Sequence, residues 1–213
     1  MRGILITLEG IDGSGKSTAL REITGKLKDA LPNRRLIFTA EPTKKSMPGQ
    51  VLREIFLKDS TAMEAFKLEE LFLFLADHAD HLAATIMPSL EEGFIVVSDR
   101  YSDSTAAYQG ATLRGIVPDP VAWIRSICRP WDIMPDLTLL FSLDPQLAME
   151  RISQRYGREK FERADFLMQV DENFKRLARA EPDRFIVLDA SQDEEIVSEK
   201  AQRAILDLAK SRS

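Results

Sequence analysis

Short apolar runs alternate with longer helical patterns along this chain. The apolar runs predict strands at residues 3–8, 35–39, 94–98, 137–143 and 184–188. Helices are expected near 16–31, 46–57, 62–91, 103–110, 119–128, 145–156, 163–180 and 193–210. Short strands buried on both faces and separated by helices imply an α/β fold, a five-stranded parallel sheet with helices on both faces. Prolines at 118, 120, 130 and 135 punctuate the middle without opening a domain boundary, and there is no repeat or low-complexity linker. A single domain over residues 1–213 is expected, because this length suits one full α/β core and is short for two.

In such a sheet, ligands bind beyond the carboxyl ends of the strands, so the residues just after each strand become the candidates. After the first strand comes Gly10-Ile11-Asp12-Gly13-Ser14-Gly15-Lys16-Ser17-Thr18, the G-x-x-x-x-G-K-[ST] phosphate-binding loop, followed at once by a helix. Its backbone N–H groups can surround a phosphate at the helix N-terminus. Lys16 then reaches the β- and γ-phosphates, and the Ser17 hydroxyl ligates Mg²⁺. The other strand ends carry Glu41-Pro42-Thr43, Asp99-Arg100-Tyr101-Ser102 and Asp144-Pro145. Arg100 can grip a phosphate with its planar fork, and Asp99 beside it can hold Mg²⁺ or its water shell; the plain alternative is an Asp-Arg pair closing a strand.

Composition narrows the field. Hydrophobic residues make up 44% and charged residues 30%, the proportions of an ordinary globule. A net charge of −5 argues against a broad nucleic-acid surface, so any anion site must be local. The one cysteine, Cys128, lies in an apolar stretch and reads as core, in keeping with a reducing compartment. Two histidines are too few for a zinc site. The N-terminus enters a strand instead of a signal segment, and no stretch is long and apolar enough to span a bilayer; no membrane partner and a cytoplasmic location are expected.

The stretch Leu8 to Thr18, then Glu41-Pro42-Thr43, then Asp99-Arg100-Tyr101-Ser102-Asp103-Ser104-Thr105-Ala106-Ala107-Tyr108-Gln109-Gly110 resembles the thymidylate kinase family. Phe74-Leu75-Ala76-Asp77, Pro135-Asp136-Leu137-Thr138 and Leu188-Asp189-Ala190-Ser191-Gln192 match it in order over nearly the whole chain. The resemblance implies phosphorylation of dTMP to dTDP with ATP and Mg²⁺, in a homodimer. It places Asp12 on the sugar 3′-hydroxyl and Arg100 on the dTMP phosphate, with Glu41 nearby. It puts Phe74 against thymine, Ser104, Thr105 and Gln109 along the nucleotide, and Tyr108 against C2′, where a ribose hydroxyl would not fit. Arg53 is either a second phosphate ligand or a solvated helix arginine, and Phe74 has core packing as its alternative.

Residues 151–162 occupy the place of the lid that closes over ATP. The phosphate loop carries no arginine, so the resemblance assigns the catalytic arginine to the lid, with Arg155 and Arg158 as candidates and Arg151 along the adenine; a solvated charge run is the alternative. Two positions depart from the family. His78 stands where the base-reading arginine is expected, and Ala40 replaces the arginine of Thr-Arg-Glu-Pro. His78 is therefore expected to read the thymine edge, or else to face solvent or a dimer seam. Two rival functions are a deoxynucleoside kinase with Glu41 as general base, and a nucleotide-binding regulatory protein. An Asn-Lys-x-Asp guanine motif is absent from the sequence.

Overall fold

The computed structural model describes residues 2–57, 64–156 and 164–212. Five strands form one parallel sheet: β1 (Ile4–Glu9), β2 (Leu36–Ala40), β3 (Ile95–Asp99), β4 (Leu137–Ser142) and β5 (Phe185–Asp189), in the order β2-β3-β1-β4-β5. Central β1 is buried along its whole length and pairs with β3 on one side and β4 on the other. Its Ile4, Leu5, Ile6 and Leu8 need apolar cover on both faces, and each such side chain contributes about 1.5–3 kcal/mol when removed from water.

Helices supply that cover. α1 (Lys16–Ala30) packs on α9 (Glu194–Ser211). α5 (Ser102–Thr112) packs against α6 (Pro120–Cys128) and α8 (Ala164–Ala180). α2 (Met47–Leu57) lies against α3 (Glu64–His81), and α7 (Pro145–Tyr156) follows β4. The expected helix over 62–91 is divided. α3 ends at His81, a π turn covers Leu82–Ile86, and α4 spans Met87–Glu91. Pro88 has no N–H to give to the preceding turn, and it sits in the first turn of α4, where that loss costs nothing. Cys128 is buried in the core, as expected.

Topology decides where a ligand belongs. The connection leaving β1 runs toward β2 at one edge, and the connection leaving β3 runs toward β4 on the other side. The strand order therefore reverses between β1 and β3, and their carboxyl ends open a crevice. Gly10 follows β1 there, and Arg100 follows β3.

Candidate active site

The loop after β1 has the backbone of an anion cradle. Gly10 has φ 141° and Gly13 φ 79°, and a Cβ at either would meet the Phe141 or Ala148 carbonyl oxygen at 2.5 or 2.6 Å. Only glycine fits both demands. α1 then begins at Lys16 with no side-chain cap and no acidic residue in its first turn, leaving its N–H groups and dipole for an anion. Ile11 and Ser14 are buried in the loop. Lys16 Nζ donates to the Gly10 and Ile11 carbonyls at 2.9 Å and to Ser14 Oγ at 3.3 Å. Burial, with Arg100 nearby, lowers this ammonium to about 8 against the opposing pull of Asp12, Asp99 and Glu9. An anionic phosphate would restore its charge and outcompete neutral carbonyls.

Ser17 Oγ donates to Asp99 Oδ2 at 2.9 Å, while Asp99 Oδ1 is buried and has no partner among the described residues. A hydroxyl and a carboxylate with an unfilled oxygen are the hard donors that suit Mg²⁺, which keeps most of its waters. Among the described residues, no group of three or more His, Cys, Asp or Glu side chains is placed to cage a metal.

Arg100 faces the loop from the other wall of the crevice. Its backbone is left-handed, φ 70°, which costs a non-glycine residue about 1–3 kcal/mol and is tolerated where surrounding contacts fix it. Those contacts are dense. Nη1 donates to Ser104 Oγ at 3.0 Å and to the Gly10 carbonyl at 3.3 Å. Nη2 donates to Asp12 Oδ1 at 2.5 Å and to Tyr108 OH at 3.3 Å, and the guanidinium lies 4.8 Å from the Tyr108 ring centre. The Asp12 N–H donates to Tyr108 OH at 2.9 Å. Loss of water around Asp12, whose side chain is still half-exposed, opposes its charge, but Arg100 and Lys16 outweigh it and hold this carboxyl below its ordinary value. Asp12, Lys16, Arg100, Ser104 and Tyr108, spread over 97 positions of sequence, thus meet at one sheet edge.

A family model described as Thymidylate kinase matches residues 8–201. A probable thymidylate kinase of Methanosarcina acetivorans is 45% identical over 209 residues, covering 97% of both chains. Those of Methanococcoides burtonii and Natronomonas pharaonis are each 46% identical, covering 99% and 95% of this chain and 100% and 97% of their own lengths. The chain belongs to the thymidylate kinase family.

His78, expected on the thymine edge, is placed otherwise. It is 1% exposed; Nδ1 lies 2.8 Å from Glu41 Oε1 and Nε2 3.1 Å from Asp132 Oδ1. Two carboxylate partners require two N–H donors, so the ring is an imidazolium with neither hydrogen left for a base. Burial opposes its charge, yet Glu41 and Asp132 raise it to about 10. Glu41 is correspondingly held below the ordinary carboxylate range against the effect of its burial, chiefly by His78. His81 joins with Nδ1 2.7 Å from Glu41 Oε1 and Nε2 2.7 Å from Thr39 Oγ1. Asp77, on the same helix, accepts from the Thr43 N–H at 2.8 Å and from the Thr43 and Ser46 hydroxyls. His78 is thus a cation that ties α3 to the 39–46 segment and to the loop before β4.

Arg53, Phe74, Thr105, Gln109 and Arg151 lie on α2, α3, α5 and α7. Arg53 Nη2 donates to the Pro42 carbonyl at 2.9 Å, so α2 brings it to the Glu41 turn. Phe74 is half-buried on α3, whereas Phe72 is 55% exposed. Thr105 and Gln109 are buried on α5; Gln109 Nε2 donates to Glu70 Oε1 at 2.9 Å, and its Oε1 has no partner among the described residues. On the far side of the loop, Ser14, Gly15, Thr18, Arg151, Ala190 and Gln192 line a second depression. There Arg151 Nη2 donates to the Ala190 carbonyl at 3.2 Å. The Arg155 side chain and Arg158 lie outside the described residues. Sequence reasoning missed Glu9, Asp77, His81 and Asp132. For Glu9 a signal existed, an acid directly after an apolar run.

Proposed function

We propose that this chain transfers the γ-phosphoryl group of ATP to the phosphate of dTMP, giving dTDP and ADP. The observation that carries the reading is the meeting of Arg100, Asp12 and Tyr108 with Lys16 across the crevice between β1 and β3. Donor phosphates sit on the loop and on Lys16, with adenine in the depression beside Arg151. The acceptor phosphate takes Arg100 in exchange for part of the Asp12 contact, with Arg53 as a second ligand. Asp12 then holds the 3′-hydroxyl, Tyr108 closes the C2′ side and Phe74 covers the base, with Ser104, Thr105 and Gln109 along the nucleotide.

The acceptor is already an anion, so no strong base is required. What the protein supplies is alignment and neutralisation of charge on the transferring group. Ser17 and Asp99 would hold Mg²⁺, which would supply positive charge against the phosphates. The segment at about 151–162 acts as the lid and contributes Arg155 or Arg158, excluding water that would hydrolyse ATP. A homodimer fits the exposed Phe72 and Met87 on the α3–α4 side, and a cytoplasmic site of action fits a reaction fed by ATP. The deoxynucleoside kinase reading is weaker. Its general base would be Glu41, whose carboxyl is committed to two imidazoles and held at low basicity.

With ATP, Mg²⁺ and dTMP, the protein should form dTDP and ADP in equal amounts, measured by chromatography of the quenched reaction. Lys16→Ala should lower turnover by at least ~10²-fold, like the loss of other electrostatic stabilisers, with little change in thermal unfolding. ATP consumption independent of dTMP, or near-normal turnover in the variant, would contradict the reading.

A further inference from the structure

Glu9 is the last residue of β1 and is wholly buried, beside the loop yet unused by the reaction as drawn. Its Oε2 accepts from Ser104 Oγ at 2.5 Å, and its Oε1 has no partner among the described residues. The charged groups around it are Lys16 from α1, Arg100 from the turn after β3 and Asp103 from α5. Asp103 is itself paired with Arg125 at 2.8 Å and Arg184 at 2.7 Å. A buried acid with an unfilled oxygen costs stability, and a core strand has no need of it. Groups of this kind persist where a site uses them.

We infer that Glu9 is the positioning residue for Arg100, acting through the hydroxyl of Ser104. Ser104 Oγ accepts from Arg100 Nη1 at 3.0 Å, so its single hydrogen must leave in another direction. Glu9 Oε2 receives it and thereby turns a lone pair toward the guanidinium. Remove that acceptor and the hydroxyl hydrogen is free to rotate toward Nη1, where it repels the group it now holds. Burial and Asp103 push the Glu9 carboxyl up to about 8, so its charge is weakly held, and what Ser104 takes from it is an oxygen acceptor at a fixed place. A neutral amide can do the same. Position of the acceptor, not negative charge, is what the link requires.

The inference rests on Arg100 as the ligand of the acceptor phosphate, and the test separates the two. Glu9→Met, Glu9→Asp, Glu9→Gln and Arg100→Ala are compared in steady state with dTMP and ATP varied in turn. Glu9→Met and Glu9→Asp should lower kcat/KM for dTMP by about tenfold or more, the value of one lost hydrogen bond to a charged network. Their KM for ATP should change by less than about twofold. Glu9→Gln, which keeps an oxygen at the same reach, should stay within about threefold of the unaltered protein. In a Ser104→Ala background, Glu9→Met should cause no further loss, because the link is already cut. The melting temperature of Glu9→Met should hold or rise, since the buried polar group is gone; if that variant does not fold, Glu9→Asp and Glu9→Gln decide. Normal dTMP kinetics in both Glu9→Met and Glu9→Asp would overturn the inference. So would equal effects on both substrates, a Glu9→Gln loss as large as that of Glu9→Asp, or losses that multiply in the Ser104→Ala background. Normal dTMP kinetics in Arg100→Ala would overturn the reading of Arg100 and this inference with it.

Discussion

His78 shows how far one side chain's role depends on what surrounds it. Four residues after Phe74 on a helix, it shares a face with a base-stacking candidate, and the sequence therefore offers it as a base reader. In the fold both nitrogens are taken by carboxylates 37 and 54 positions away, which no local pattern announces. The consequence is electrostatic. Glu41 and Asp132 raise His78 to about 10. A raised value means that the clamp stabilises the fold fully below pH ~6.5 and is lost as pH rises through about 10. Thermal melts between about pH 6 and 10.5 should therefore show a steeper alkaline fall in the unaltered protein than in His78→Gln. Parallel curves would mean that the imidazolium clamp contributes nothing. Glu9 is the opposite kind of residue. It stands directly after an apolar run in the sequence, but its partner Ser104 is 95 positions on.

Elements were more legible than contacts. Five strands, their order along the chain and the helices between them follow from runs of apolar residues, because a parallel strand buried on both faces has few other ways to be written. β1 and β3 each run one residue further than their patterns suggest, so Glu9 and Asp99 end strands instead of following them. The π turn at Leu82–Ile86 was not legible, since it preserves the helical run and changes only the hydrogen-bond spacing. α7 bears on the chemistry through its far end. The loop after β1 has glycine and serine where an arginine could stand, so the proposed reading takes the cation for the transferring group from residues 151–162, a stretch that begins within this helix. Arg155→Ala with Arg158→Ala should reduce kcat far more than it raises the KM for dTMP, the signature of a contact made in the transition state. An unchanged kcat in the double variant would exclude both residues.

At the scale of the whole molecule, the site is a consequence of strand order. The chain reverses direction of travel between β1 and β3, and that reversal opens the crevice into which Lys16 and Arg100 both project. The phosphate loop and the Asp-Arg strand end could be found in sequence because each is local and carries its own chemistry. Their meeting could be inferred only through the fold rule. The network of Asp103, Arg125, Arg184 and Glu181, which ties α5 and α6 to the turn between α8 and β5, was invisible because its members belong to three separate segments. In the proposed reaction this crevice receives a 2′-deoxynucleoside monophosphate, its phosphate on Arg100 and its sugar between Asp12 and Tyr108. The most direct measurement is a coupled assay with ATP and dTMP, dUMP, UMP or thymidine as acceptor. dTMP and dUMP should be used well ahead of UMP, with thymidine hardly used at all. UMP used as efficiently as dUMP, or thymidine used as readily as dTMP, would contradict the proposed reaction.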